Sequence, residues 1–140
     1  MMKNQKTKKI TSVVLATMIL FSCFACLLTV KVSAATARWT GILSIDISMV
    51  FDGNEGDVSG IASKKSTATK IEGTLYVYKL VDGKWIYVDE WYNSKTRGTL
   101  AVSGDFACES GVTYKAVFVV TAYVNGVPET DTLEHIEVCP

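Results

Sequence analysis

From residue 43 to residue 138 the chain returns again and again to one pattern: apolar and polar residues alternate, and pairs of residues that turn the backbone sharply interrupt them. In the stretch 43–51, Leu43, Ile45, Ile47, Met49 and Phe51 share one parity. A period of two puts them on one face of an extended strand, whereas a helix would need a period of about 3.6. Residues 71–81 and 84–92 flank Asp82-Gly83, and residues 113–124 and 127–138 flank Asn125-Gly126. Both dipeptides suit the positive φ angles of a two-residue type I′ turn, so each predicts a hairpin. A turn at 52–57, a weaker strand at 58–63, and a strand at 99–108 with Leu100, Val102 and Phe106 on one side complete the pattern. No helical periodicity occurs after residue 35. About seven strands in roughly 100 residues, with a turn every 8–12, predict an all-β antiparallel sandwich.

The N-terminal segment follows a different rule. MMKNQKTKK is a basic start, and the apolar run 10–30 follows it. That order is the signature of a secretory leader, and Val32-Ser33-Ala34 is a small-residue cleavage motif. Cutting before Ala35 divides the chain into a signal peptide, 1–34, and a single secreted domain, 35–140, of roughly 105 residues, enough for one core. Two rivals remain at this level. The apolar run is long enough to stay in a bilayer as an uncleaved anchor, and Leu20-Phe21-Ser22-Cys23 faintly resembles a lipidation box.

Removing the leader changes the charge and the cysteine count together. The whole chain balances fourteen basic against fourteen acidic residues. Lys3, Lys6, Lys8, Lys9 and Lys31 leave with the leader, so nine basic residues face fourteen acidic ones, a net charge of −5. An acidic surface repels phosphate backbones, which argues against nucleic acid, and nothing beyond the leader suggests a membrane partner. Cys23 and Cys26 sit in the apolar run, and Cys108 and Cys139 remain. Two cysteines in an exported chain predict one disulfide. The Asn125-Gly126 register places Cys139 opposite Val112, just after the corner that follows Cys108.

Gly111-Val112-Thr113-Tyr114 opens a long apolar strand after one that ends at Cys108. It resembles the corner before the penultimate strand of immunoglobulin-like and fibronectin type III domains. The resemblance implies an immunoglobulin-like β-sandwich in which the Tyr114 hydroxyl hydrogen-bonds back to the preceding loop. A second resemblance spans nearly the whole exported part: Arg38-Trp39, Lys70-Ile71, Leu75, Asp82-Gly83-Lys84-Trp85, Trp91, Gly111-Val112-Thr113-Tyr114 and Asn125-Gly126. In order and spacing these are similar to a family of short exported proteins of unknown function from Gram-positive, clostridia-like bacteria. What it implies is export and a small β fold, with no activity, cofactor or catalytic residue to carry over.

The residue types argue against an enzyme. The single His135 would have to serve any Ser-His-Asp site, and it lies between Glu134 and Ile136 in the last strand with no nucleophile turn nearby. Zinc spacing is absent. Asp52-Gly53-Asn54-Glu55-Gly56-Asp57 alternates oxygen ligands with glycines but departs from calcium-loop spacing at Gly56, Asp57 and Ser63, and reads as a turn. Asp89 and Glu90 cannot form a glycosidase pair, because neighbours on a strand point to opposite faces.

Chemistry concentrates in GKWIYVDEWY, residues 83–92. If Val81 pairs with Lys84 across the turn, Leu80 falls opposite Trp85, Tyr78 opposite Tyr87, Tyr76 opposite Asp89 and Thr74 opposite Trp91. Leu75, Val77, Ile86, Val88 and Tyr92 take the other face, whose β-branched content makes it the expected core. Tyr76, Tyr78, Trp85, Tyr87, Asp89 and Trp91 then form the candidate binding face, with Glu72 beside them. Three readings are open: a satellite core under loops, Trp39 or the N-terminal segment; a surface for another protein or a second copy; or a glycan platform of stacked rings and carboxylates. The expected partner is thus an unknown protein or glycan at a cell surface. A toxin-like role has no residue behind it.

Overall fold

The computed structural model describes residues 39–140; the leader, its cleavage motif, Cys23, Cys26 and Arg38 lie outside the described residues. Seven strands follow in order: β1 (Ile42–Asp52), β2 (Glu55–Lys64), β3 (Ala68–Val81), β4 (Lys84–Lys95), β5 (Leu100–Ala107), β6 (Thr113–Val124) and β7 (Val127–Val138). One sheet runs β1-β2-β5 and the other β4-β3-β6-β7, and every pairing is antiparallel. The architecture is the antiparallel β-sandwich that the alternation predicts, of the immunoglobulin-like kind that the resemblance at the Tyr114 corner implies. No helix among the described residues is long and apolar enough to cross a membrane.

The two predicted hairpins form as expected. Asp82 and Gly83 take φ of 50° and 75°, and Asn125 and Gly126 take 52° and 77°, the two positive angles of a type I′ turn. The first hairpin is tighter than residues 52–57 suggest. Asp52 pairs with Glu55, so only Gly53 and Asn54 turn, and Glu55, Gly56 and Asp57 begin β2. Asp52, Glu55, Gly56 and Asp57 of the acidic stretch are therefore part of the ladder rather than of the turn.

Between the sheets lies one apolar core whose fully buried members include Ile42, Ile71, Leu75, Val77, Leu100, Ala116, Phe118 and Val120. Phe118 reaches across it because glycine leaves it room. A Cβ on Gly60 of the opposite sheet would lie 2.6 Å from the ring, and one on Gly73 beside it 2.7 Å. Tyr114 caps one end, 1% exposed, against Phe51 and Phe106 at centroid distances of 5.8 and 5.2 Å. Its hydroxyl accepts the Glu109 N–H at 3.0 Å, the bond back to the preceding loop that the corner motif implies.

Two bulges correct the predicted faces. In β1 the register slips between Ile42 and Ser44, so Leu43 leaves the face it should share with Ile45, Ile47, Met49 and Phe51. Leu43 is 62% exposed and Ile42 is buried in its place. In β4 the slip comes at Val88. Tyr78 faces Tyr87 as expected, but Val77 faces Asp89, Tyr76 faces Glu90, Leu75 faces Trp91 and Thr74 faces Tyr92. An unbulged ladder would have set the Glu90 carboxylate against Leu75 on the core side, an unpaired charge in an apolar interior. One extra residue moves Glu90 out and Trp91 in. Asp89 and Trp91 therefore leave the predicted aromatic face, Tyr92 joins it, and Ile86 ends up exposed near the turn.

Candidate functional site

The outer face of the four-stranded sheet carries the chemistry. On β3 the odd positions Ile71, Gly73, Leu75 and Val77 are buried, so Glu72, Thr74, Tyr76 and Tyr78 point away from the core. β6 repeats the logic: Tyr114, Ala116, Phe118, Val120 and Ala122 are buried, which turns Lys115, Val117, Val119, Thr121 and Tyr123 outward. Residues directly opposite across a ladder share a face. Tyr78 accordingly stands between Tyr87 and Lys115, Tyr76 between Glu90 and Val117, and Thr74 between Tyr92 and Val119. Five of the chain's six tyrosines, Tyr76, Tyr78, Tyr87, Tyr92 and Tyr123, thus lie on one surface with Trp85.

Toward the β3–β4 turn the rings form a connected set. Tyr76 and Tyr78 stack at 6.4 Å with planes 29° apart, and Tyr87 meets Tyr78 edge-on at 6.3 Å and 78°. The Lys115 ammonium sits over the rings of Trp85, at 4.6 Å, and Tyr78, at 5.6 Å, a cation–π arrangement. Burial among its neighbours, and next the carboxylates of Glu90 and Asp89, push the Tyr87 phenol above its ordinary value.

A polar knot occupies the other end of the face. Glu72 accepts hydrogen bonds from Lys70 at 2.5 Å, Tyr123 at 2.6 Å and Tyr92 at 3.1 Å. The bond from Lys70, then that from Tyr123, hold the Glu72 carboxyl below its usual range, and Glu72 in turn raises Lys70. These contacts fix the rings and reduce the rotamer freedom a partner would have to freeze.

The face is open among the described residues. Tyr87 is 52% exposed and Tyr92 61%, while Tyr76, Tyr78 and Trp85 are half-buried by each other. Trp39 packs on the core at the opposite end of β3 and does not cover them. There the Thr40, Gly41 and Ile42 amides donate to the Glu129 carboxylate, and Lys65 Nζ donates to the Trp39 carbonyl. The satellite-core reading has no covering segment in residues 39–140.

Of the six predicted binding residues, Tyr76, Tyr78, Trp85 and Tyr87 come together, whereas Asp89 and Trp91 do not join them. Trp91 packs across to β5, where a Cβ on Gly104 would fall 1.9 Å from its ring. It also lines an open groove of about 480 Å³ with Glu90, Tyr92, Asn93 and Ser103. Sequence reasoning placed Glu72 beside this face and missed Lys115, Tyr92 and Tyr123. The parity of β6 was legible for Lys115 and Tyr123, but which strand lies beside β3 is a matter of sheet order. Cys108 and Cys139 lie at one end of the sandwich, away from this face, and His135 is on β7, 3.1 Å from Glu137. No group of three His, Cys, Asp or Glu side chains converges among the described residues.

No family model matches the chain, and no curated protein matches it. Among solved structures, the sandwich is similar to part of Bacteroides uniformis beta-glucuronidase 2 covalently bound to cyclophellitol-6-carboxylate aziridine. The identity is 16% and the TM-score 0.43, over 68% of this chain and 13% of that one. The chain thus spans a small fraction of the length of that protein.

Proposed function

We propose that the protein is an exported, non-catalytic module that binds another protein through the outer face of the β4-β3-β6-β7 sheet. The observation that carries this reading is the open ring set of Tyr76, Tyr78, Trp85 and Tyr87, pinned by Lys115 and flanked by the Tyr92–Glu72–Tyr123 knot. Tyrosine and tryptophan give large contact area at low entropic cost and are enriched where proteins meet. Lys115 already takes a face of Trp85, and Tyr76 and Tyr78 use faces on each other, so the rings offer mainly edges and hydroxyls. Those suit side chains and backbone better than the flat stacking a sugar ring requires. Self-association is opposed by the charge of −5 that each copy carries once the leader is gone.

A second reading, carbohydrate binding, rests on the groove where Trp91 and Tyr92 lie beside Glu90, Asn93 and Ser103. A photo-crosslinking residue placed at 87, with the same residue at Ser48 on the other sheet as control, separates the two. The protein reading expects protease-sensitive covalent adducts on the producing organism's cell surface from position 87 and none from 48. Equal adducts from both positions, or retardation in polysaccharide gels that Tyr92→Ala abolishes, would overturn it.

A further inference from the structure

We propose that Cys108 and Cys139 form a disulfide that is made while the chain is still folding and is then shielded by the fold from thiol exchange. Both residues are buried, and their Sγ atoms lie 2.7 Å apart. The backbone holds the two sides together independently of the sulfurs. Cys139 N–H donates to the Val112 carbonyl at 3.0 Å, Gly111 N–H donates to the Cys139 carbonyl at 2.8 Å, and Cys108 N–H donates to the Asn54 carbonyl at 2.8 Å. The Gly53 carbonyl faces both sulfurs, at 3.6 and 3.8 Å. Three chain segments therefore meet at this point: the β1–β2 turn, the β5–β6 corner and the end of β7. A bond here ties down β7, which is an edge strand of its sheet among the described residues.

The timing follows from burial. Thiol–disulfide exchange requires a thiolate that can reach the attacking geometry. Burial, and then the bond with Cys139, push the Cys108 thiol up to about 11, so in the folded reduced protein it is neutral as well as inaccessible. In the unfolded chain the same thiol has an ordinary pKa of about 8.5 and is exposed. The oxidant required is a small or protein disulfide, RSSR, of the kind met outside the cytosol. A Cys108 thiolate attacks one of its sulfurs to give a mixed disulfide and releases RS⁻. The Cys139 thiolate then attacks the Cys108 sulfur and expels the second RS⁻. The net change is two cysteine thiols and one RSSR to one internal disulfide and two RSH, the cysteine protons ending on the released thiolates.

The test uses residues 35–140 as a purified secreted chain and oxidised glutathione as the RSSR. Unfolded reduced protein, refolded with it, is expected to be monomeric, to carry no thiol alkylatable in denaturant, and to be about 2 Da lighter than the reduced form. Protein first folded in reductant, then transferred to the same oxidant, is expected to oxidise at least about tenfold more slowly. Dithiothreitol should reduce the native bond only at urea concentrations that unfold the domain. The oxidised form should melt at least about 10 °C above the reduced form, as closing a loop of this length implies. Two alkylatable thiols after oxidative refolding, a glutathione adduct left on one cysteine, or disulfide-linked dimers would each overturn the pairing. Equal oxidation rates for folded and unfolded chains would overturn the shielding. Thiol counting on the unmodified protein requires no variant to fold.

Discussion

Gly104 and Trp91 test the bulge on which the corrected site depends. A Cβ at Gly104 would lie 1.9 Å from Trp91 Cε2 and 2.3 Å from Cδ2 and Nε1. Carbon atoms settle at about 3.5–4.0 Å, so in Gly104→Ala the ring must retreat by roughly 1.5 Å or β5 must move. The contact is with the body of a ring, which cannot swing aside as a flexible tip can. The expected cost is about 2–4 kcal/mol, between ordinary overpacking and complete loss of the Trp91 packing. Gly104 does not have the positive φ that would penalise alanine. With Trp91 shortened to Ala the clash disappears, and the smaller entropy of the unfolded chain should make Gly104→Ala neutral or stabilising by about 0.4–1 kcal/mol. Urea unfolding of the wild type, the two single variants and the double variant, followed by far-UV circular dichroism, measures the cycle. A coupling of about 2 kcal/mol or more is expected. The same cost for Gly104→Ala in both backgrounds, within about 0.5 kcal/mol, would show that Trp91 does not lie on Gly104 and would refute the Val88 bulge.

Trp91→Ala alone should destabilise by about 3–5 kcal/mol. Trp85→Ala should move Tm by less than about 5 °C while removing the crosslinks formed from position 87. Tyr114→Phe leaves the Glu109 amide without its acceptor and should cost about 1–2 kcal/mol in urea unfolding, with little effect on binding. Glu129 provides a pH test. Desolvation acts to raise its carboxyl, but the amides of Gly41, Thr40 and Ile42 outweigh it, and the carboxyl lies below its ordinary value. A depressed carboxylate contributes stability above its unfolded pKa of about 4.3 and loses it as pH falls through the folded value. Melts from neutral to acid pH should therefore show a steeper fall in Tm for the wild type than for Glu129→Gln, and parallel curves would refute the clamp.

The strands and their hairpins were legible because the forces that set them are local. Asp82-Gly83 and Asn125-Gly126 turn by their own φ preferences, and the β6–β7 pairing outward from the second turn runs without a slip from Val124 and Val127 to Thr113 and Val138. The corner at Tyr114 was legible for the same reason, since its partner Glu109 is five residues away. The site was legible only as far as Val88. From the Asp82-Gly83 turn to Tyr78 and Tyr87 the register follows from the turn, and Tyr78, Trp85 and Tyr87 lie where it put them; Tyr76 keeps its face because β3 does not slip between Lys70 and Val81. Past Val88, alternation alone would have buried Glu90. That conflict was a signal in the sequence, but its resolution depended on Gly104, which offers the Trp91 ring a seat on a strand of the other sheet. Glu72 faces outward by β3's own alternation, whereas Lys115 and Tyr123 joined the face because β6 lies beside β3, with Phe118 buried against Gly60 and Gly73. Turn chemistry acts over a few bonds and is written in adjacent residues, whereas the sliding of one strand past another is decided by which side chains can be buried together across the core.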